Sequence, residues 1–227
     1  MILPALLLAL LAARGESRPA FDERSIARLG ATADFHQGLL AQPGAALSPC
    51  DRLAGHPSDP DKVGPGIERE AIDVPAAIAA CEAGLRADPK NARFEYQLGR
   101  LLFYSKQTQA ALPHLETSAK AGHRQAEFVL GYIHSEGLND LPKNVCIAES
   151  LWRDAAGRGH FAARVSYARL WIRGRWNNCP TGATDRGAIE RFLESARKDT
   201  SDYYQGLLID DLRERLASMP GPDSNKK

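Results

Sequence analysis

Two residue types in this chain could carry chemistry: four cysteines, Cys50, Cys81, Cys146 and Cys179, and six histidines. The cysteines form no CxxC pair, so the spacing that marks a zinc site is lacking. An even count in an exported chain reads as disulfides instead, and four cysteines allow three pairings among which sequence alone does not choose. His123 and His160 each follow a glycine directly and precede a helical pattern. They could be a metal pair, but a turn or capping position copied by repetition is the reading favoured here. His134 aligns with Trp171 in the repeat described below, which points to packing. His36, His56 and His114 stand near no cysteine or carboxylate pattern that defines a metal site. Asp210, Asp211 and Glu214 read as a solvated helix face and not as paired catalytic acids. No GxSxG, HExxH, P-loop or GxGxxG motif occurs. The expectation is a protein that is not an enzyme, with no catalytic residue, metal or cofactor.

The elements that position these residues repeat along the chain. From Gly122 the sequence runs GHRQAEFVLGYIHSEG, then a loop, then NVCIAESLWRDAAGRG; from Gly159 it runs GHFAARVSYARLWIRG, a loop, and GAIERFLESARKD. At this offset of 37 residues Ala126 matches Ala163, Leu130 matches Tyr167 and Gly137 matches Gly174. Past the loop, Ala148 and Trp152 correspond to Ala188 and Phe192. A shorter copy starts at Asn91, in which Leu98 and Gly99 match Leu130 and Gly131, and Ala111 and Leu115 match Ala148 and Trp152. Each copy holds two runs of apolar residues at helical spacing. Gly99 and Gly131 fall inside helices, where glycine costs up to about 1 kcal/mol relative to alanine; a close approach by a second helix accounts for them. Trp152 and Trp171 read as packing residues. Trp176, in a loop with Arg173, Arg175 and Asn177, reads as exposed and as a potential binding anchor.

Outside the copies, residues 75–88 read as the second helix of an earlier unit, opened by Pro75 and ended at Asp88-Pro89. Residues 202–217 read as a capping helix with Ser201 or Asp202 as its cap and with Tyr203, Leu207, Leu208, Leu212 and Leu216 on the stripe that faces the array. Residues 21–41 could form a helix bearing Ile26, Leu29, Phe35 and Leu39, and a short helix could form near 49–55. The Pro- and Gly-rich stretch 42–70 needs a tether, which a Cys50–Cys81 bridge would supply. Cys146 opens the second helix of one unit and Cys179 precedes that of the next, so a Cys146–Cys179 bridge would staple neighbouring units.

The formal charge of +1 over 227 residues points to neither nucleic acid nor an anionic membrane as partner. Residues 2–13, ILPALLLALLAA, are uncharged. They would rise about 18 Å as a helix, against roughly 30 Å for a bilayer core, so they fit the apolar part of a secretory signal with small residues at cleavage spacing. The expected organisation is a signal peptide at 1–15, a lead-in at 16–72, repeats at 73–200, a capping helix at 201–218 and a disordered tail at 219–227. The expected location is periplasmic or secreted from a bacterium, or cytoplasmic if the apolar run is not a signal.

The pattern Gly-His-x-x-Ala-x-x-x-Leu-Gly, a loop, then Ala-x-x-x-Trp-x-x-x-Ala-x-x-Gly resembles a Sel-1-like repeat. Residues 122–159 match best. The copy from Gly159 has Ala168 where the family has glycine, and the copy from Asn91 lies between the Sel-1-like and tetratricopeptide patterns. The lead-in between Cys50 and Cys81 is similar to one in some proteobacterial members. The resemblance implies an all-α fold, a right-handed α/α superhelical solenoid of helix pairs, and a scaffold or adaptor for a protein or peptide partner. An alternative from another class is a protein that binds cell-wall fragments or hydrolyses them weakly. In tetratricopeptide-like arrays the first helix of each unit lines the inner face, which here would carry Arg93, Tyr96, Arg100 and Phe103, then Gln125, Phe128, Tyr132 and Ser135, then Arg169, Ile172 and Arg173. Aromatic residues with arginine anchor interfaces, so this face reads as a groove for an extended peptide with acidic groups; alternatively a terminal segment of the chain fills it. The exported form is expected to begin at Arg14 or Glu16 and to carry no free thiol. Intact mass before and after reduction checks both, and a full-length chain with four reactive thiols would contradict them.

Overall fold

The computed structural model describes residues 47–138, 141–180 and 184–220. The expected signal segment, the helix at 21–41 and residues 221–227 of the tail lie outside the described residues. Among the described residues there are helices and no strands: α1 (Pro49–Ala54), a 3₁₀ turn (Arg69–Ala71), α2 (Val74–Ala87), α3 (Ala92–Tyr104), α4 (Thr108–Lys120), α5 (Arg124–Glu136), α6 (Val145–Gly157), α7 (Phe161–Ile172), α8 (Arg186–Asp199) and α9 (Tyr203–Ser218). Each long helix packs on the next in sequence, so α3/α4, α5/α6 and α7/α8 form three stacked pairs.

The helices start where side chains can accept the first free N–H groups. Asp73, Asn91, Asn144, Asp185 and Asp202 cap α2, α3, α6, α8 and α9. His123 and His160 cap α5 and α7. Before each capping histidine the chain reverses at Gly122 (φ 84°) or Gly159 (φ 93°), a left-handed conformation that a side chain would strain. This explains the repeated Gly-His pair.

The core runs along the stack as successive clusters. Ala77, Phe94, Leu98 and Leu101 join α1 to α4; Leu115, Leu130, Ile133 and Leu151 join α4 to α6; Trp152, Tyr167, Ile189, Leu193 and Ile209 join α6 to α9. Within the second pair the partner helix packs directly on Gly131. A β-carbon there would lie 2.3 Å from Nε1 of Trp152, and that same nitrogen donates to the Phe128 carbonyl at 2.8 Å. The Nε1 edge of the indole meets the α5 backbone, which accounts for a glycine that helix propensity opposes.

Two disulfides are present, Cys50–Cys81 and Cys146–Cys179. The first joins α1 to α2 with both residues fully buried. It closes 31 residues of chain, for which loop-closure entropy gives about 3–4 kcal/mol. The second joins the start of α6 to the loop after α7, across two neighbouring units.

Two expectations fail here. Trp176 is 7% exposed, not open: its Nε1 donates to the Tyr167 carbonyl at 3.2 Å and its ring stacks on Tyr167. The polar neighbours of Trp176 face solvent while its ring turns under the loop. On α9 the stripe against the array is Gly206, Ile209, Leu212 and Leu216, whereas Tyr203, Leu207 and Leu208 are exposed. Ile209 sets the phase of that stripe, and the first two turns of α9 are apolar around too wide an arc for one face to cover.

The Gly131→Ala variant should lose about 1–3 kcal/mol through overpacking against Trp152, despite the gain in helix propensity. Gly157→Ala, where a β-carbon meets nothing within 4 Å, should gain a few tenths of a kcal/mol to about 1 kcal/mol. Urea denaturation checks both, and equal effects would refute the close-approach account.

Candidate interaction surface

The inner ends of α3 and α5 hold a set of cations that the lead-in meets with carboxylates and carbonyls. Asp51 on α1 accepts from Arg93 Nε (2.6 Å) and Nη2 (3.1 Å) and from Gln97 Nε2 (3.1 Å). Burial alone would raise the Asp51 pKa, but Arg93, Ser48 and Gln97 outweigh it and hold the carboxyl below its usual range. Arg100 donates from Nη1 to the Ala54 carbonyl (3.0 Å), from Nη2 to the Ile67 carbonyl (3.3 Å) and from Nε to Tyr104 Oη (3.1 Å). These two carbonyls belong to adjacent passes of the lead-in, which pair through Ile67 N–H to the Gly55 carbonyl at 2.8 Å. Further along, Arg124 grips Asp61 and donates to the carbonyls of Pro60 (3.1 Å) and Arg158 (3.2 Å).

The capping histidines lie beneath this layer. The Ala126 N–H donates to His123 Nδ1 (3.4 Å) and the Ala163 N–H to His160 Nδ1 (3.1 Å). A capping Nδ1 must be unprotonated, so the ring proton sits on Nε2. In His160 that proton goes to Gln125 Oε1 at 2.8 Å; in His123 it faces Asp59 Oδ2 at 3.4 Å, both side chains being fully buried. Burial pushes both histidines down to about 4 and Asp59 up to about 7.

Asp59, Asp61 and His123 bring potential ligand atoms within 4.8 Å of one another. The capping tautomer argues against a metal there, because the nitrogen that faces the carboxylates is a donor and Asp61 is already neutralised by Arg124. His114 is also engaged, its Nδ1 lying 2.5 Å from Glu95 Oε2 across the α3/α4 pair.

The residues expected to form one partner-binding face fall into two groups. Arg93, Tyr96, Arg100 and Gln125 are not open to a partner: Arg93 and Arg100 hold the lead-in, Tyr96 stacks on His123 at 4.8 Å, and Gln125 receives His160. The correction has a plain cause, since residues 48–67 lie over the first helices of the first two pairs, the arrangement in which a terminal segment fills the face. Phe128 is half-buried between Trp152 and His160, and Phe103 is half-buried between two core clusters. Ser135 is buried, its hydroxyl donating to the Tyr132 carbonyl at 3.2 Å. Tyr132 is 50% exposed, Ile172 is half-buried, and Arg169 and Arg173 are exposed. The sequence reading passed over Asp51, Asp59 and Asp61; their alternation with cations on the first helices becomes visible only once the lead-in is placed on that face.

No protein-family model matches this chain, and no curated protein matches it. Among solved structures it is similar to the crystal structure of a Sel1 repeat protein from Oxalobacter formigenes, at 19% identity over 57% of this chain and 96% of that one, with a TM-score of 0.48.

The folded value of His160 lies below its unfolded value of 6.5, so the folded state binds fewer protons in between. Its contribution to stability is present above about pH 6.5 and is lost as the pH falls towards 4; His123 behaves alike. Asp59, raised by burial, runs the other way: its contribution is full below 3.8 and lost as the pH rises through 7. His160→Asn, which keeps a capping acceptor, should flatten the fall in stability between pH 6.5 and 4.5 by on the order of 2 kcal/mol. Melting curves at both pH values check this, and profiles parallel to the wild type would contradict it.

Proposed function

We propose that this chain is a non-enzymatic, Sel-1-like scaffold that holds a protein or peptide partner on the uncovered end of its first-helix face, in an oxidising compartment outside the cytoplasm. The observation that carries the reading is the state of that face. Where the lead-in lies on it, the cations are engaged; beyond the lead-in, Tyr132, Arg169 and Arg173 stand open, and neither arginine pairs with a carboxylate among the described residues. An aromatic ring beside arginines is the residue mix that anchors interfaces.

Two disulfides support the oxidising compartment. Among the described residues no helix is long and apolar enough to cross a membrane.

A second reading, binding of a cell-wall fragment, has one observation in its favour. A cleft of about 720 Å³ is lined by Tyr167, Trp171, Trp176, Arg173 and Glu149. Of its rings, Trp171 is half-buried and could meet the apolar face of a sugar, while Tyr167 and Trp176 are buried behind it. Its carboxylate, Glu149, is buried, accepts from Tyr167 Oη at 2.8 Å and pairs with Arg153, so it is engaged within the fold.

A photo-cross-linking residue at Tyr132 should give one discrete protein adduct in the native envelope, whereas the same residue at Glu194, exposed on α8, should give none. Equal adducts from both positions, or none from Tyr132, would overturn the scaffold reading; a fragment-binding protein would give no protein adduct from either.

A further inference from the structure

We propose that Arg169 grips an acidic, non-helical segment of the partner by its backbone carbonyls, in the way that Arg100 grips this chain's own lead-in. The inference rests on the scaffold reading above and adds the chemistry of the ligand and the residue that reads it.

Register along the stack is the first support. Gly99, Gly131 and Ala168 are buried at the matching helix-to-helix contact: a β-carbon on Gly99 would meet Leu115, one on Gly131 would meet Trp152, and Ala168 lies in the core with Ile189 and Leu193. The next residue is turned about 100° around the helix axis, and at that position stand Arg100, Tyr132 and Arg169. These three side chains are therefore the same feature of three successive units, presented to the same face.

The second support is what Arg100 does there. Its planar fork takes two carbonyls, of Ala54 and Ile67, that are 3.0 and 3.3 Å away. A guanidinium has five donors in fixed directions and matches such a pair, which an ammonium cannot do in the same way. Carbonyls inside a helix are already taken by N–H groups four residues on. Free carbonyls occur in the last turn of a helix, as at Ala54 at the end of α1, and along irregular segments, as at Ile67, so an irregular segment offers them along its whole length.

Charge is the third. The lead-in brings the carboxylates of Asp51 and Asp61 to the guanidinium groups of Arg93 and Arg124. On α7, Arg169 and Arg173 lie one turn apart, both exposed and with no described carboxylate on either. The described part of the lead-in lies over the first two units, and among the described residues nothing lies on Arg169 in the third, which would offer the same grip to a segment from another chain. Tyr132, half exposed between the two arginine positions, supplies a flat apolar shelf at the join.

Fluorescence anisotropy on the whole mature chain tests this with three labelled probes: a twelve-residue alternating Gly-Asp peptide, its Gly-Lys counterpart, and a Glu- and Ala-rich helical peptide of equal negative charge. The Gly-Asp probe should bind, and the other two should bind at least tenfold more weakly. Arg169→Gln and Arg169→Lys should each weaken the Gly-Asp probe at least tenfold, since lysine keeps the charge but not the fork. Equal binding of the helical acidic probe, no binding of the Gly-Asp probe, or unchanged affinity in the lysine variant would overturn the proposal. The Tyr132 cross-link separates the two readings: if it persists in Arg169→Gln, the scaffold stands and the carbonyl grip alone is wrong.

Discussion

The close approach of the two helices within each unit constrains everything built on them. At Gly131 the Trp152 indole rests on bare helix backbone and donates to a carbonyl of that same helix. A side chain of any size at Gly131 would push α6 outward. Because neighbouring units share their apolar residues, that shift would pass to α7 through Phe128, Trp152 and Tyr167. The contact also fixes the rotation of each first helix, and so determines which residue faces inward. Arg100, Tyr132 and Arg169 owe their common direction to it.

A second layer of order comes from buried polar groups. His123 and His160 are used as caps, which requires them neutral, and burial keeps them so. Their outward nitrogens then dictate their neighbours: a glutamine for one, a buried aspartate for the other. Asp59 comes from the lead-in, and Arg124 both holds Asp61 and reaches the end of α6. The lead-in is thus tied to two units by hydrogen bonds and to α2 by a covalent bridge. These ties turn what would otherwise be a long loop into part of the array.

Covering most of an inner face with the chain's own segment narrows where a partner can sit. The arginines beneath the lead-in are committed to structure, and the far end of the face keeps the same residue types with no described residue laid over them. The intramolecular contact that Arg100 makes is the pattern on which the proposed grip of Arg169 is drawn.

Much of the fold was legible in the sequence because it repeats. The Gly-His pairs, the alanine and aromatic positions and the helix caps recur at fixed offsets, and periodicity survives without knowledge of any long-range contact. The Cys50–Cys81 bridge was legible as the tether that the Pro- and Gly-rich stretch needs, and the Cys146–Cys179 bridge as a staple between equivalent segments of stacked units. Periodicity failed where one helix carries apolar residues around too much of its surface, as on α9, and where a single ring turns under a polar loop, as at Trp176. The site was less legible. Helical position identified which residues face inward, but exposure on that face is decided by residues 48–67, which belong to no repeat. Whether Arg100 or Arg169 is free depends on where that segment lies, and only its tertiary contacts with Arg93, His123 and Arg124 settle that, because they join residues more than forty positions apart that no local pattern connects.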